Sequence, residues 1–199
     1  MFISRLQRKG AAGLRGRLSV LACVLVVMAG AARADTQANG SSGQVVRQIE
    51  AAYLYKFASF VEWPPEAFAR PDSSFTIGLA GSDALADELE ASLAGRTVNG
   101  RKVAVRRLRR GEAPTDVQML VVGTPDARWA RELYAAIKDR PVLTVAEPGA
   151  EPGADSMISF TVVDDRLRFE VALRPIKPSR LKISALMLSA AYKVEKGNP

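Results

Sequence analysis

Residues 75–95 have the sequence FTIGLAGSDALADELEASLAG. The first part, Phe75–Gly81, is a short apolar run that ends in glycine, which predicts a buried strand. Ser82 or Asp83 is a suitable N-cap for the helix that follows, and Gly95 is a suitable end for it. A buried strand that leads directly into a helix is the repeating unit of α/β proteins, so this segment predicts that fold class.

The same unit recurs along the chain. Thr124, Pro125 and Asp126 are typical of a helix start, and the helix is predicted to run to about Lys138. The alternation of strands and helices predicts a mostly parallel, doubly wound (Rossmann-like) sheet with flanking helices. Further strands are predicted at Val103–Leu108, Val117–Gly123 and Pro141–Glu147.

The pattern changes near the C-terminus. Two strands, Met157–Val163 and Leu167–Leu173, are separated only by Asp164–Arg166. This spacing predicts an antiparallel hairpin at the edge of the sheet. A last helix is predicted over about Pro178–Val194.

An aromatic segment, YLYKFASFVEWPPEAF, occupies Tyr53–Phe68. Pro64 and Pro65 predict that its helix ends at about Glu62, and Trp63 then either seals the end of the core or contacts a ligand. We favour the core role for Trp63. The helical spacing predicts one core-facing stripe, made of Val46, Ile49, Tyr53, Phe57 and Phe60.

The first 34 residues are typical of a secretory signal peptide. A basic region precedes the apolar stretch Leu18–Ala32, and Ala32-Arg33-Ala34 is a small-x-small cleavage pattern. An uncleaved anchor is the alternative, although a membrane span needs about 20 apolar residues. We therefore expect cleavage after Ala34, a flexible leader over residues 35–44, and a single periplasmic domain over residues 45–194 that does not insert into the membrane.

The net charge depends on that signal. The whole chain has 28 basic and 21 acidic residues, a net charge of +7. Six of the basic residues lie in residues 1–34, and the remainder has 22 basic and 21 acidic residues, a net charge of +1. A nearly neutral domain has little long-range attraction for phosphate backbones, so nucleic acid is not an expected partner.

Histidine is absent from the chain, and Cys23 is its only cysteine. Because Cys23 lies in the predicted signal, thiolate–imidazole, serine–histidine and zinc–imidazole chemistries are excluded from the mature chain. Adjacent acids such as Asp87–Glu88 and Asp164–Asp165 leave a carboxylate-dependent hydrolase as a minor alternative, although solvated surface explains them better. We expect no enzymatic activity, no cofactor and no metal.

Two segments are candidates for ligand contacts. Gly81, Ser82 and Thr124 follow predicted strands, and a crevice between these strand ends would bind a small ligand. Trp63, elsewhere in the chain, is the other candidate for a ligand contact. Ordinary strand-to-helix turns are the simpler interpretation of the three loop residues. The basic segment GRKVAVRRLRRGE, residues 100–112, would serve an anionic ligand or an acidic partner. A charged edge strand that resists sheet-to-sheet pairing explains this segment without a ligand.

An ordered set of segments resembles the YfiR family of exported α/β proteins, over about Val45–Val194. The segments are AAYLYKFASFVEWP, LAGRTVNGRKVAVRRL, MLVVG, RPVLTVAE, MISFTVVDDRLRFEVAL and LKISALML. The resemblance implies a non-enzymatic periplasmic regulator that binds and inhibits the periplasmic sensor region of an inner-membrane diguanylate cyclase. Cyclic di-GMP and biofilm formation would fall as a result.

The resemblance also implies a homodimer and sequestration by an outer-membrane lipoprotein. Some members respond to redox state through disulfides, which a mature chain without cysteine cannot do. A periplasmic small-ligand sensor is the alternative function.

The C-terminal hairpin is the predicted partner surface, because an edge strand offers unpaired backbone groups to a partner. Alternation along the second strand places Leu167, Phe169, Val171 and Leu173 toward the core. A solvated charged face is the alternative interpretation of the outward side chains. The candidate partner-binding residues are Phe160, which shares a face with core positions, the outward Arg168, Glu170 and Arg174, and Ile176 in the following loop.

Overall fold

The computed structural model describes residues 42–150 and 156–196. The predicted signal peptide, residues 35–41 of the predicted leader and residues 151–155 lie outside the described residues. Residues 42–44, predicted as leader, are helical, so the first helix begins earlier than the apolar pattern indicated. Polar residues continue a helix readily when its later turns are packed.

Five helices and ten strands make up the described chain. The helices are α1 (residues 42–60), α2 (Asp83–Ser92), α3 (Ala127–Ala136), α4 (Leu173–Ser179) and α5 (Ala185–Ala190), with a 3₁₀ turn at Pro65–Ala67. The strands are β1 (Val61–Glu62), β2 (Phe75–Ala80), β3 (Thr97–Val98), β4 (Arg101–Leu108), β5 (Met119–Val122), β6 (Leu143–Ala146), β7 (Ile158–Val163), β8 (Arg166–Ala172), β9 (Lys182–Ile183) and β10 (Lys193–Glu195).

Eight strands form one sheet in the order β10-β8-β7-β6-β5-β2-β4-β3. The pairs from β4 through β2, β5 and β6 to β7 are parallel, and so is the pair of β8 with β10. The β7–β8 and β3–β4 pairs are antiparallel. The prediction of an α/β fold with a mostly parallel sheet is therefore confirmed.

Two apolar cores lie on the two faces of the sheet. In β5, Met119 and Val121 belong to the larger core with residues of α1 and α2. Leu120 and Val122 belong to the smaller core with Ala130 and Leu133 of α3. Because successive side chains of a strand point to opposite faces, a strand covered on both faces must be apolar throughout, as β5 is.

The buried face of α1 differs from the predicted stripe. Val46 and Ile49 are exposed, whereas Glu50, Leu54 and Phe57 are buried. The Phe57 ring lies 4.9 Å from the Phe169 ring and 5.7 Å from the Phe160 ring, measured between centroids. The prediction was wrong in phase at the start of α1, because the apolar residues there do not mark the side that faces the sheet.

Trp63 closes one end of the larger core. Its ring packs edge-on against Phe75 with centroids 4.8 Å apart, and its Nε1 donates to the Gln118 carbonyl at 3.1 Å. Helix α1 ends before Pro64, and β1 follows it directly. The core role predicted for Trp63 is confirmed.

The prediction of one helix over Pro178–Val194 is wrong. Arg180, in the left-handed conformation with φ 61°, ends α4, and β9 then pairs with β1. Ser184 caps α5 by accepting from the Met187 amide at 3.2 Å. Apolar side chains alone indicated a helix, but strand pairing across the chain satisfies these backbone groups instead.

Strand β10 lies outside the β7–β8 hairpin in the sheet. It pairs in parallel with Glu170–Ala172 of β8, so β8 is not the edge strand that the sequence predicted. No helix within residues 42–150 and 156–196 is long and apolar enough to cross a membrane.

Candidate functional site

A cluster of loops gathers where β2, β5 and β6 end. Strand β2 lies between β4 and β5, so the connections after β2 and β5 lead to opposite sides of the sheet. Such a point, outside the carboxyl ends of parallel strands, is where open α/β sheets bind ligands. Gly81 and Ser82 follow β2, Gly123 and Thr124 follow β5, and Glu147 follows β6. The predicted residues Gly81, Ser82 and Thr124 thus do come together.

Two glycines allow these loops to approach each other. Gly81 has φ +79°, and a Cβ there would lie 2.7 Å from Cα and Cβ of Thr124. A Cβ on Gly123 would lie 2.5 Å from Oε1 of Glu147. Any larger side chain at either position would push these loops apart.

The helix starts at this edge differ from the predicted ones. Ser82 precedes α2 but makes no capping bond through its side chain; it is a hydrogen-bond partner of the Glu147 carboxyl. Asp126, rather than Thr124, caps α3 by accepting from the amides of Arg128 and Trp129, both at 3.0 Å. The Thr124 hydroxyl accepts from the Asp126 amide at 3.1 Å.

Glu50 of α1 is the functional candidate that sequence reasoning missed. It is 2% exposed, and its Oε1 has no hydrogen-bond partner among the described residues. Burial, then the charge of Glu147, raises the pKa of Glu50 to about 8, and the charge of Arg47 opposes this. Glu50 lies four residues before Leu54 and seven before Phe57, so a correctly phased helical pattern would have placed a carboxyl on the buried face.

Glu147 has a similar environment. Burial raises its pKa, and its hydrogen bond with Ser82 opposes the rise. Its Oε1 is buried and likewise has no partner within the described chain. Glu147 therefore belongs to this end of the parallel strands, and its charge acts on the buried Glu50 of α1.

Trp63, the fourth predicted ligand residue, lies at the opposite end of these strands, beside the first residues of β2 and β5. A cavity of about 280 Å³ adjoins it. Arg101 lies with its guanidinium carbon 3.8 Å from the Phe68 ring centroid and donates to the Ser73 carbonyl at 2.8 Å. The cavity is lined by Trp63, Pro65, Phe68, Phe75, Val98, Asn99 and Arg101.

The predicted partner residues divide into two groups. Phe160 and Ile176 are 4% and 7% exposed and belong to the larger core, which corrects the expectation that Ile176 lies in an exposed loop. Ile176 is in α4, whose turn directs it inward. The side chains of Arg168 and Arg174 are exposed and make no hydrogen bond or ion pair with any described residue, and Glu170 is half-buried opposite Lys193.

Residues 47–192 match the model of the YfiR/HmsC-like family. The chain belongs to this family. The resemblance of the sequence segments to the YfiR family is thereby confirmed. YfiR/HmsC-like proteins are periplasmic, regulatory and non-catalytic, and membership indicates a regulator of a diguanylate cyclase.

Membership in the YfiR/HmsC-like family does not explain the basic segment of β4, but the contacts of its arginines do. Arg107 donates to Asp87 at 2.7 Å and to Glu90 at 3.0 Å, both on α2. Arg106 donates to Glu112 at 2.5 Å. Among the described strands, only the two-residue β3 pairs with the outer side of β4, at Arg101 and Lys102. Charges paired within the chain beside an open strand favour the edge-strand interpretation over an anion site.

Proposed function

We propose that the protein is a non-enzymatic periplasmic regulator that binds and inhibits the sensor region of an inner-membrane diguanylate cyclase. The family match over residues 47–192 carries this proposal. The signal-like segment of residues 1–34 supports export to the compartment of that sensor region. Inhibition of the cyclase would lower cyclic di-GMP and biofilm formation, and homodimer formation and sequestration by an outer-membrane lipoprotein remain parts of the same proposal.

The exposed side chains of β8 and α4 are the proposed partner surface. Arg168 and Arg174 support it, since their guanidinium groups have no partner in the described chain. Glu170 lies on the same face of β8 as Arg168, two residues further on. Unpaired guanidinium groups complement an acidic surface and form charge-assisted bonds with carboxylates. Phe160 and Ile176 would contribute only by holding this surface in place.

Deleting the gene in a strain that carries the cyclase tests the function. Cyclic di-GMP is expected to rise, and expression of the parent chain is expected to restore the lower level. An unchanged cyclic di-GMP level after deletion would contradict the proposal. Capture of the cyclase from solubilised membranes by the tagged protein tests the contact directly.

The double variant Arg168→Glu with Arg174→Glu tests the surface. We expect about a tenfold loss of cyclase capture, because both charges meet the acidic partner with the wrong sign. The matched control is Arg131→Glu with Arg140→Glu, which changes the charge equally at two exposed arginines elsewhere. Equal loss in both double variants would reject the β8–α4 surface and leave the function standing.

The cavity beside Trp63 favours a second candidate, a small-ligand sensor. Its volume of about 280 Å³ is near the lower end of small-molecule pockets, roughly 300–1,000 Å³. Aromatic walls with one guanidinium suit a flat anionic ligand. A thermal-shift screen with nucleotides and amino acids tests this, with Arg101→Gln expected to abolish a positive response and Lys102→Gln, an exposed neighbour, to retain it.

A further inference from the structure

We propose that the open edge of β4 binds an extended acidic segment of a partner protein, which adds to the sheet as a further strand beside Val105 and Arg107. This edge lies at the opposite side of the sheet from β8 and β10. The proposal therefore concerns a different surface from the β8–α4 surface, and it does not depend on the regulatory function.

Most of the outer edge of β4 has no neighbouring strand among the described residues. Strand β4 has eight residues, and β3 pairs with only the first two of them. The Val103 amide donates to the Arg96 carbonyl at 3.1 Å, so the backbone groups of Val103 point away from β2. Because backbone groups alternate in direction along a strand, those of Val105 and Arg107 also point outward, and they bond to no other described segment.

The open part of this edge also offers packing to an added strand. Arg107 is exposed, and Ala104 and Val105 are half-buried. Val103 and Val105 pack against the larger core. A strand beside them would continue this apolar layer with alternate side chains, while its backbone bonds to the outward groups of Val105 and Arg107.

Charge selects the class of segment. Residues 96–110, which include β3 and β4, contain seven basic residues and no acidic one. Three of the seven are paired with carboxylates elsewhere in the fold: Arg106, Arg107 and Arg110. The other four make no ion pair with any described residue: Arg96, Arg101, Lys102 and Arg109. This surplus of positive charge complements an acidic segment.

Lys102 and Arg109 flank the open part of the edge. Both are exposed, and they are about 23 Å apart along an extended chain. Acidic side chains near both ends of a partner strand would therefore meet them. A second copy of β4 would bring a strand of the same charge, and cross-strand pairs of like charge are destabilising. The same residues thus oppose edge-to-edge pairing of two copies and favour an acidic strand.

Titration of the purified protein with the acetylated, amidated peptide Glu-Glu-Val-Thr-Val-Thr-Glu-Glu tests the surface. We expect saturable binding with a dissociation constant of about 1 mM or lower at low ionic strength. Hydrogen exchange followed by NMR should slow about tenfold at the amides of Val105 and Arg107 at saturation. The amides of Ala104 and Arg106, which point toward β2, should change less. The peptide with lysine in place of each glutamate should not bind.

A modified peptide separates strand addition from simple charge attraction without any change to the protein. With its four central amides N-methylated, the acidic peptide keeps its charge but cannot donate to the edge, so it should bind about tenfold more weakly or less. Among variants, Lys102→Glu with Arg109→Glu should weaken binding of the unmodified peptide about tenfold, whereas Arg131→Glu with Arg140→Glu should not.

Five outcomes would each overturn the proposal. They are no binding of the acidic peptide, equal binding of the N-methylated peptide, binding of the lysine peptide, unaltered exchange at Val105 and Arg107, and protection of these two amides by self-association without peptide. Since the purified protein and synthetic peptides are used, none of these outcomes bears on cyclase inhibition.

Discussion

At the scale of single residues, Glu50 is a buried carboxyl whose pKa is raised chiefly by its burial. A carboxyl with a raised pKa in the folded state holds a proton that the unfolded chain releases at lower pH. The group therefore contributes full stability below about pH 4.5, its ordinary pKa, and loses that contribution as the pH rises to about 8. Glu147 and Arg47 are the charged groups that act on it.

We predict that the free energy of unfolding of Glu50→Gln does not show this fall. In the parent it should decrease between about pH 4.5 and 8, at up to about 1.4 kcal/mol for each pH unit. Urea denaturation over this pH range measures the slope. Glu132→Gln should retain the parent slope, and a flat parent profile would disprove the burial argument.

Gly123 is a second residue whose small size is required. We predict that Gly123→Ala destabilises the protein by about 1–3 kcal/mol, since the new methyl would lie 2.5 Å from Oε1 of Glu147. Chemical denaturation measures the loss. In the background Glu147→Ala, the same substitution should cost much less, because the clashing group has been removed. Additive losses would show that the contact is not the cause.

At the scale of secondary-structure elements, the buried face of α1 is not the face that the apolar residues at the start of the helix indicate. Leu54 is fully buried and Ile49 is 42% exposed. We predict that Leu54→Ala destabilises the protein by about 2–5 kcal/mol, and Ile49→Ala by about 0.5 kcal/mol or less. Thermal denaturation of the pair measures the difference. Similar losses would contradict the observed phase of α1.

The sequence of β10 does not indicate its role in the sheet, because a helix was predicted there. We predict that ending the chain at Ala191 accelerates amide hydrogen exchange in Glu170–Ala172, where β10 pairs with β8. Exchange in β2, which is far from β10 in the sheet order, should change less. Exchange followed by mass spectrometry measures both. Unaltered protection of Glu170–Ala172 would mean that β10 does not hold β8.

At the scale of the whole molecule, the sheet joins the two apolar cores. The described residues from Val46 onward form one compact unit, and β5 contributes side chains to both cores. We predict that Leu133→Ala, in the smaller core, lowers the temperature of a single cooperative transition without splitting it. Calorimetry measures this together with fluorescence from Trp63, beside the larger core, in a Trp129→Phe background that removes the signal of the smaller core. Two separated transitions would show that the cores unfold independently.

The candidate site could be predicted only in part from the sequence. The approach of Gly81, Ser82 and Thr124 was predictable because loops after parallel strands meet at the same end of the strands, which the local pattern reveals. Glu50 and Glu147 are 97 positions apart in the numbering, and neither belongs to a recognisable motif. Ile176 was misplaced since its burial follows from α4, which the sequence did not predict.

The order of apolar runs, glycines and turn residues by itself determined the α/β class and most of the strands of the parallel sheet. The class and the strands follow from local propensity and from the faces that a strand or helix must bury, whereas the family was indicated by the resemblance of whole segments. Only the tertiary structure decided the fold of residues 178–196, the phase of α1 and the burial of Glu50 and of Oε1 of Glu147. Strand pairing and desolvation depend on which groups lie across from one another, and residues distant along the chain supply those groups.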